Sequence, residues 1–349
     1  MRTHLPIICF AAASAAATVA GCSSETVERP PAAPIAWASL EAQPEQDGGA
    51  DVLTAKERAL PGEYCAAIAS SGFAGLGALL DEDADFASPG MDNAHGRDQV
   101  AHAHDLLLGA FDNRKMTMSR VWRTPSEQTI EWTFTGAQSR DWLGVAATHK
   151  TVSFKGVTLL WTKDNGSIAD IHVYFDVAVA KAELGAGPKN LTPPPPAEPP
   201  TTPAQVFDQT PSGSYDAIVN VNVVKSALDA LESNNLTAFV GAMADDVEVY
   251  TAERATPARG KADAKTYYAA MHKAIGQLDT TVMSAWGVGQ FAIVEYSIAG
   301  EQLGPIQWIP AQRDKVIRFE QVDICEIRDQ HIARIWRYDN LMQIQGQTQ

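Results

Sequence analysis

The sequence predicts an α+β protein built as two tandem cone-shaped domains, each with N-terminal helices packed on a curved antiparallel sheet. Three observations predict it. Gly96, Trp122 and Gly136 recur as Gly260, Trp286 and Gly300 at one offset of 164 residues, and a shared offset across three anchors means one domain written twice. Within each copy the apolar period changes once, from helical to alternating. Between the copies lies a stretch holding nine of the 20 prolines, from Pro188 to Pro211.

The chain opens with Arg2, then an apolar run from Leu5 to Ala20, then Val19-Ala20-Gly21-Cys22. This pattern reads as an export signal over 1–21, and the apolar run is shorter than the roughly 20 residues of a membrane span. The last tetrad resembles a bacterial lipobox. That resemblance implies cleavage before Cys22, diacylglycerol attachment to its thiol and acylation of the new amino terminus with palmitate-type chains, giving a stable membrane anchor. An ordinary secretory signal with an incidental Cys22 is the other reading. Ser23 and Ser24, with no Asp there, resemble the outer-membrane sorting pattern of diderm bacteria, so a lipid-anchored protein of the cell envelope is expected.

Residues 22–61, rich in Ala, Pro, Glu and Gly, read as a disordered tether. The first domain is expected over 62–187, the second over 212–349, and 188–211 as a Pro-rich spacer that leaves their docking optional. Helices are expected over Tyr64 to Leu80 and Asp98 to Phe111, then over Val219 to Met243 and Asp263 to Ile275, with Asp81, Asp83 and Asp85 ending the first. Strands are expected over Met116 to Trp122, Gln128 to Thr135, Val152 to Trp161 and Ile168 to Phe175, with Asp164-Asn165-Gly166 as a hairpin turn. Helices followed by a meander argue for helices on one face of a sheet. Further matches support the repeat: Phe86 meets Tyr250, Glu131 to Gly136 meets Glu295 to Gly300, and Ile168 to Ile171 meets Ile332 to Ile335.

A net charge of −15, with 27 Lys and Arg against 42 Asp and Glu, excludes a nucleic-acid-binding surface, which needs clustered cations. Of the four cysteines, Cys9 lies in the signal and Cys22 is the anchor. Cys65 and Cys325 are left, either as buried thiols or as an interdomain bridge. No metal centre or cofactor is expected, because no Cys/His spacing suits a metal. His102 and His104 are two apart on a helix, about 200° around it, and read as a solvated face.

Lys150 to Val157, then Asn165 to Asp176 and Leu184-Gly185, resemble the closing strands and tail of the SnoaL-like polyketide cyclase family, of the nuclear-transport-factor-2-like superfamily. The second copy keeps Val316, Phe319, Val322, Ile332, Ile335, Trp336, Tyr338 and Asp339. In the family's cyclases an acid near the end of the last strand moves a proton beside a carbonyl, and Asp176 stands at that position. His172, Tyr174 and Asp176 would share a strand face, making Asp176 with His172 the candidate catalytic pair. Asp176 also reads as a helix N-cap, and His172 as a hydrogen-bonded rim residue. At the repeat offset His172 becomes Trp336 and Asp176 becomes Asn340, so any chemistry is expected in the first copy. Trp122, Trp132, Trp161, Tyr174, Trp286, Tyr296, Trp336 and Tyr338 are candidate pocket-lining residues, or ordinary core.

The expected function is a membrane-anchored binder of a small apolar or amphipathic ligand, or of a protein partner. The alternative is a cyclase- or isomerase-type enzyme using a pocket carboxylate in the first domain. Family members often pair through their outer sheet faces, which implies intramolecular or homomeric pairing of these domains.

Overall fold

The computed structural model describes residues 53–192, 194–210, 214–313 and 315–348. The expected signal, Cys22 and most of the expected tether lie outside these residues. Among the described residues no helix is long and apolar enough to cross a membrane.

The first cone starts earlier than the expected boundary at 62, on helix α1 (Ala55–Ala69). Thr54 and Glu57 form a reciprocal capping box that sets this start. Pro61 lies inside the helix and cannot donate to the Glu57 carbonyl. The side chain of Gln128 donates to that carbonyl instead, at 2.9 Å. The short helix α2 (Leu76–Leu79) follows.

Leu80–Ala87 is strand β1, where the sequence reading had only acids ending a helix at Leu80. Its Leu80, Ala84 and Phe86 are buried, while Asp81, Asp83 and Asp85 alternate outward. The chain continues through β2 (Ala94–His95) and helix α3 (Arg97–Leu108) to a meander of β3 (Phe111–Arg123), β4 (Glu127–Gln138), β5 (Thr151–Thr162) and β6 (Ile168–Tyr174). The meander is antiparallel, but β1 joins the sheet parallel to β6. His104 is buried rather than solvated: its Nε2 lies 3.0 Å from the Tyr64 hydroxyl and its Nδ1 2.8 Å from the Val100 carbonyl. Burial lowers its pKa to about 4.

Helix α4 (Val177–Glu183) closes the cone. The linker then packs along the first cone rather than standing off as a spacer. Ala197 donates to the Ser153 carbonyl at 2.7 Å, and β7 (Gln205–Asp208) pairs parallel to β3 at the sheet edge. Helices α5 (Ser214–Glu232) and α6 (Leu236–Gly241) lead to β8 (Met243–Thr251), β9 (Ala258–Arg259) and α7 (Gly260–Ala274). The second meander is β10 (Ile275–Val288), β11 (Phe291–Gln302), β12 (Val316–Arg328) and β13 (His331–Asp339), and α8 (Met342–Thr348) ends it. The strand order β10-β11-β12-β13-β8-β9 reproduces that of the first sheet without its β7.

Each cone has its own apolar core, and a third cluster lies between the two sheets. Cys65 and Cys325 are free buried thiols, one in each core. The seam holds Trp122, Val157, Leu159 and Tyr174 from the first sheet against Trp286, Ile293, Val322, Ile324 and Tyr338 from the second. One pair of its polar contacts is reciprocal, as in a two-fold dimer. Tyr174 donates to Glu295 Oε1 at 2.6 Å, and Tyr338 donates to Glu131 Oε1. Both tyrosines and both glutamates are repeat counterparts. The closing helices stay with their own cones but reach across: Val177 and Ala180 of α4 lie in the first core and Ala178 in the second, while Ile344 of α8 lies in the second core and Met342 packs on both.

Candidate functional site

The strand period decides where each candidate residue goes. Along β6, His172 and Tyr174 face the seam while Ile171, Val173 and Phe175 face the first core. The strand ends at Tyr174, so the alternation does not carry through to Asp176. Asp176 caps α4, its Oδ1 accepting from Ala178 N at 2.7 Å and Val179 N at 3.2 Å. His172 Nδ1 lies 2.5 Å from Glu295 Oε1, and its Nε2 lies 3.4 Å from Asp170 Oδ2. The structure therefore gives His172 and Asp176 different partners, in place of the shared strand face expected.

Burial, the largest influence on His172, favours its neutral ring, but Glu295 and Asp170 outweigh it and raise the pKa to about 10. Burial would likewise raise the Glu295 carboxyl, but the His172 charge with the Tyr174 and Ser284 hydrogen bonds holds it below the usual value. His172 is thus the cation of a buried ion pair across the seam.

Six of the eight aromatic candidates are seam residues. Trp122 meets Phe291 edge-on at 5.4 Å, and Trp161 meets Trp286 edge-on at 5.6 Å. Tyr174 and Tyr338 make the reciprocal bonds, and Trp336 lies 3.6 Å beneath the Arg120 guanidinium, which also pairs with Glu131. Trp132 fills the first core beside Phe154 and Phe175, donating to Thr158 Oγ1 at 2.9 Å. Tyr296 alone lies in a buried polar interior, that of the second cone.

That interior is built by substitution at repeat positions. Register pairs Glu131 with Val157 and Glu295 with Val322, so β12 matches β5 one residue beyond the general offset. Thr158 thus becomes Asp323, Val173 becomes Arg337 and Phe175 becomes Asp339. Arg337 grips Asp323 with Nε to Oδ1 at 2.8 Å and Nη2 to Oδ2 at 2.7 Å. Its Nη2 also donates to the Tyr296 hydroxyl at 2.9 Å and the Tyr268 hydroxyl at 3.0 Å. Gln321, with its amide turned to face this group, accepts from Arg337 Nε at 3.0 Å. Burial opposes the guanidinium charge, but Asp323 and the tyrosines hold it protonated.

A cavity of about 160 Å³ opens beside this cluster, with Tyr267, Met271 and Phe319 as walls and Glu253, Arg337 and Asp339 as its charged lining. Burial, with Glu253 and Asp339 and against Arg337, pushes the Tyr267 hydroxyl up to about 12. A larger groove of about 600 Å³ runs where the linker crosses the seam, past Arg120, Glu131, Asp176, Trp336 and Arg337. Asp176 and Asp339 meet at this boundary: burial, then Glu253, raises Asp176 to about 7, and burial, Glu253 and Asp176 raise Asp339 well above the carboxylate range. The offset comparison placed any chemistry in the first cone, whereas the buried charges cluster in the second. The signal was present in the sequence, as Asp323, Arg337 and Asp339 are charges within apolar strands.

The SnoaL-like polyketide cyclase family matches residues 222–348, and the SnoaL-like domain family matches residues 62–171. The chain carries two SnoaL-like domains in tandem. No curated protein matches it. Among solved structures it is similar to a putative SnoaL-like polyketide cyclase from Jannaschia sp. CCS1, at 15% identity over 38% of this chain and 92% of that one, TM-score 0.35. An LEH-like epoxide hydrolase from M. tuberculosis matches at 15% identity over 38% and 91%, TM-score 0.32. A putative ketosteroid isomerase from Kribbella flavida matches at 18% identity over 36% and 79%, TM-score 0.29.

Proposed function

We propose that this is a lipid-anchored protein of the cell envelope whose second cone binds a small amphipathic molecule, with the first cone as its packed structural partner. One observation carries the reading. Where the first cone fills its interior with Trp132, Phe154 and Phe175, the second has Arg337 and Asp339 facing a cavity with apolar walls. Apolar walls with a few convergent polar groups are the usual make-up of a small-molecule site. Attachment through Cys22 rests on the lipobox-like tetrad. Radiolabelled palmitate should enter the wild-type chain and fail to enter Cys22→Ala.

Ligand binding is tested by mass spectrometry of organic extracts from the folded, Cys22-deleted protein. A bound small molecule is expected in the wild type and should be lost in Met271→Trp, which fills the cavity. Extracts empty in both, or a ligand retained in Met271→Trp, would sink the reading. The enzymatic alternative is favoured by the position of Asp176 at about 7, in the range a proton-transferring carboxyl needs. On that reading Asp176→Asn abolishes turnover and leaves folding and ligand binding unchanged; unchanged turnover removes it.

A further inference from the structure

Three carboxylates from separate segments converge where the cones meet: Asp176 at the start of α4, Glu253 in the loop after β8, and Asp339 at the end of β13. One oxygen from each lies within 4.8 Å of the other two. Two oxygens each about 2.4 Å from one ion lie at most about 4.8 Å apart, so this spacing suits a single hard cation. All three are buried, at 2%, 7% and 4% exposure.

A second observation points to a ligand. Among the described residues, neither oxygen of Glu253 has a hydrogen-bond partner, and neither does Oδ2 of Asp176. A buried carboxylate without a partner costs several kcal/mol if it stays ionised. Arg337 offsets the group only in part, because its Nε and Nη2 are committed to Asp323. The cavity and the groove reach the cluster from two sides, giving an ion and its waters a way in.

We propose that Asp176, Glu253 and Asp339 form a binding site for a hard divalent cation of the Ca²⁺ class, with water completing its coordination. An all-oxygen donor set selects such ions over those that prefer nitrogen or sulfur. The expectation of no metal rested on Cys/His spacing, which carboxylates drawn from both cones do not display. The ion would tie the first cone to the second, and it would share Glu253 and Asp339 with the lining of the small-molecule cavity.

The test is calorimetric titration of the chelator-stripped full chain with CaCl₂ and, separately, with MnCl₂. One site is expected, and Asp176→Asn and Glu253→Gln should each weaken it by about tenfold or more, as loss of one of three charged ligands implies. Removing a charge from a crowded acidic site should leave both variants folded without metal, as circular dichroism would check. Mn²⁺ should also broaden the Met271 methyl signal of the wild type before that of Met116 in the first core, a readout that needs no variant. Absence of binding at millimolar concentrations of either ion overturns the proposal, as does undiminished binding in both variants, or broadening of Met116 first.

Discussion

The buried pair of His172 and Glu295 makes the stability of this protein fall as pH rises. With a folded pKa of about 10 against about 6.5 unfolded, His172 keeps a proton that the unfolded chain gives up. Its contribution is fully present below about pH 6.5 and is lost as pH rises through about 10. Between those limits the native state binds one more proton, and stability falls by ~1.4 kcal/mol per pH unit. From about pH 7 to about pH 8.5 the loss is ~2 kcal/mol. Asp176 and Asp339 also have raised pKa values, and as acids their contribution likewise falls with rising pH, so the measurement must be differential. Urea unfolding should be followed over this window for the wild type and for His172→Gln/Glu295→Gln, which removes both charges so that neither is stranded. The wild type should lose ~2 kcal/mol more than the variant. Equal slopes would refute a buried, protonated His172.

Other consequences are open to direct measurement. Tyr174→Phe and Tyr338→Phe each take a hydrogen bond from a buried glutamate at counterpart positions, and each should cost ~1–3 kcal/mol in urea denaturation. Gly156→Ala would place a Cβ 2.2 Å from Trp132 Cη2. With that ring fully buried, thermal unfolding should show a loss of ~1–3 kcal/mol. Gln128→Leu strands the Glu57 carbonyl that Pro61 leaves free and should cost ~1–2 kcal/mol; adding Pro61→Ala should recover part of it, as a double-mutant cycle would show.

Much of the architecture was legible because a repeat needs no physics beyond matching. The alternation of β6 and β13 is also visible in sequence, as are the charges at Asp323, Arg337 and Asp339. Strand β1 was misread because Asp81, Asp83 and Asp85 look like helix breakers until Leu80, Ala84 and Phe86 are given an inward face. Helix α1 was started too late because Pro61 resembles a boundary, and the group that repairs its helix, Gln128, lies in β4, 71 residues beyond the Glu57 carbonyl it reaches.

What the sequence determined by itself is the duplication, the α+β class and the alternation along the meander strands, since all three follow from local period and internal comparison. The tertiary structure decided which face was interior and which was seam. His172, Tyr174, Trp286 and Trp336 have the same alternation in a pocket wall as in a dimer-like interface, and only the second sheet packed against the first distinguishes the two. It also brought Asp176, Glu253 and Asp339 together. Such proximity depends on distances between chain segments, which no one-dimensional pattern carries.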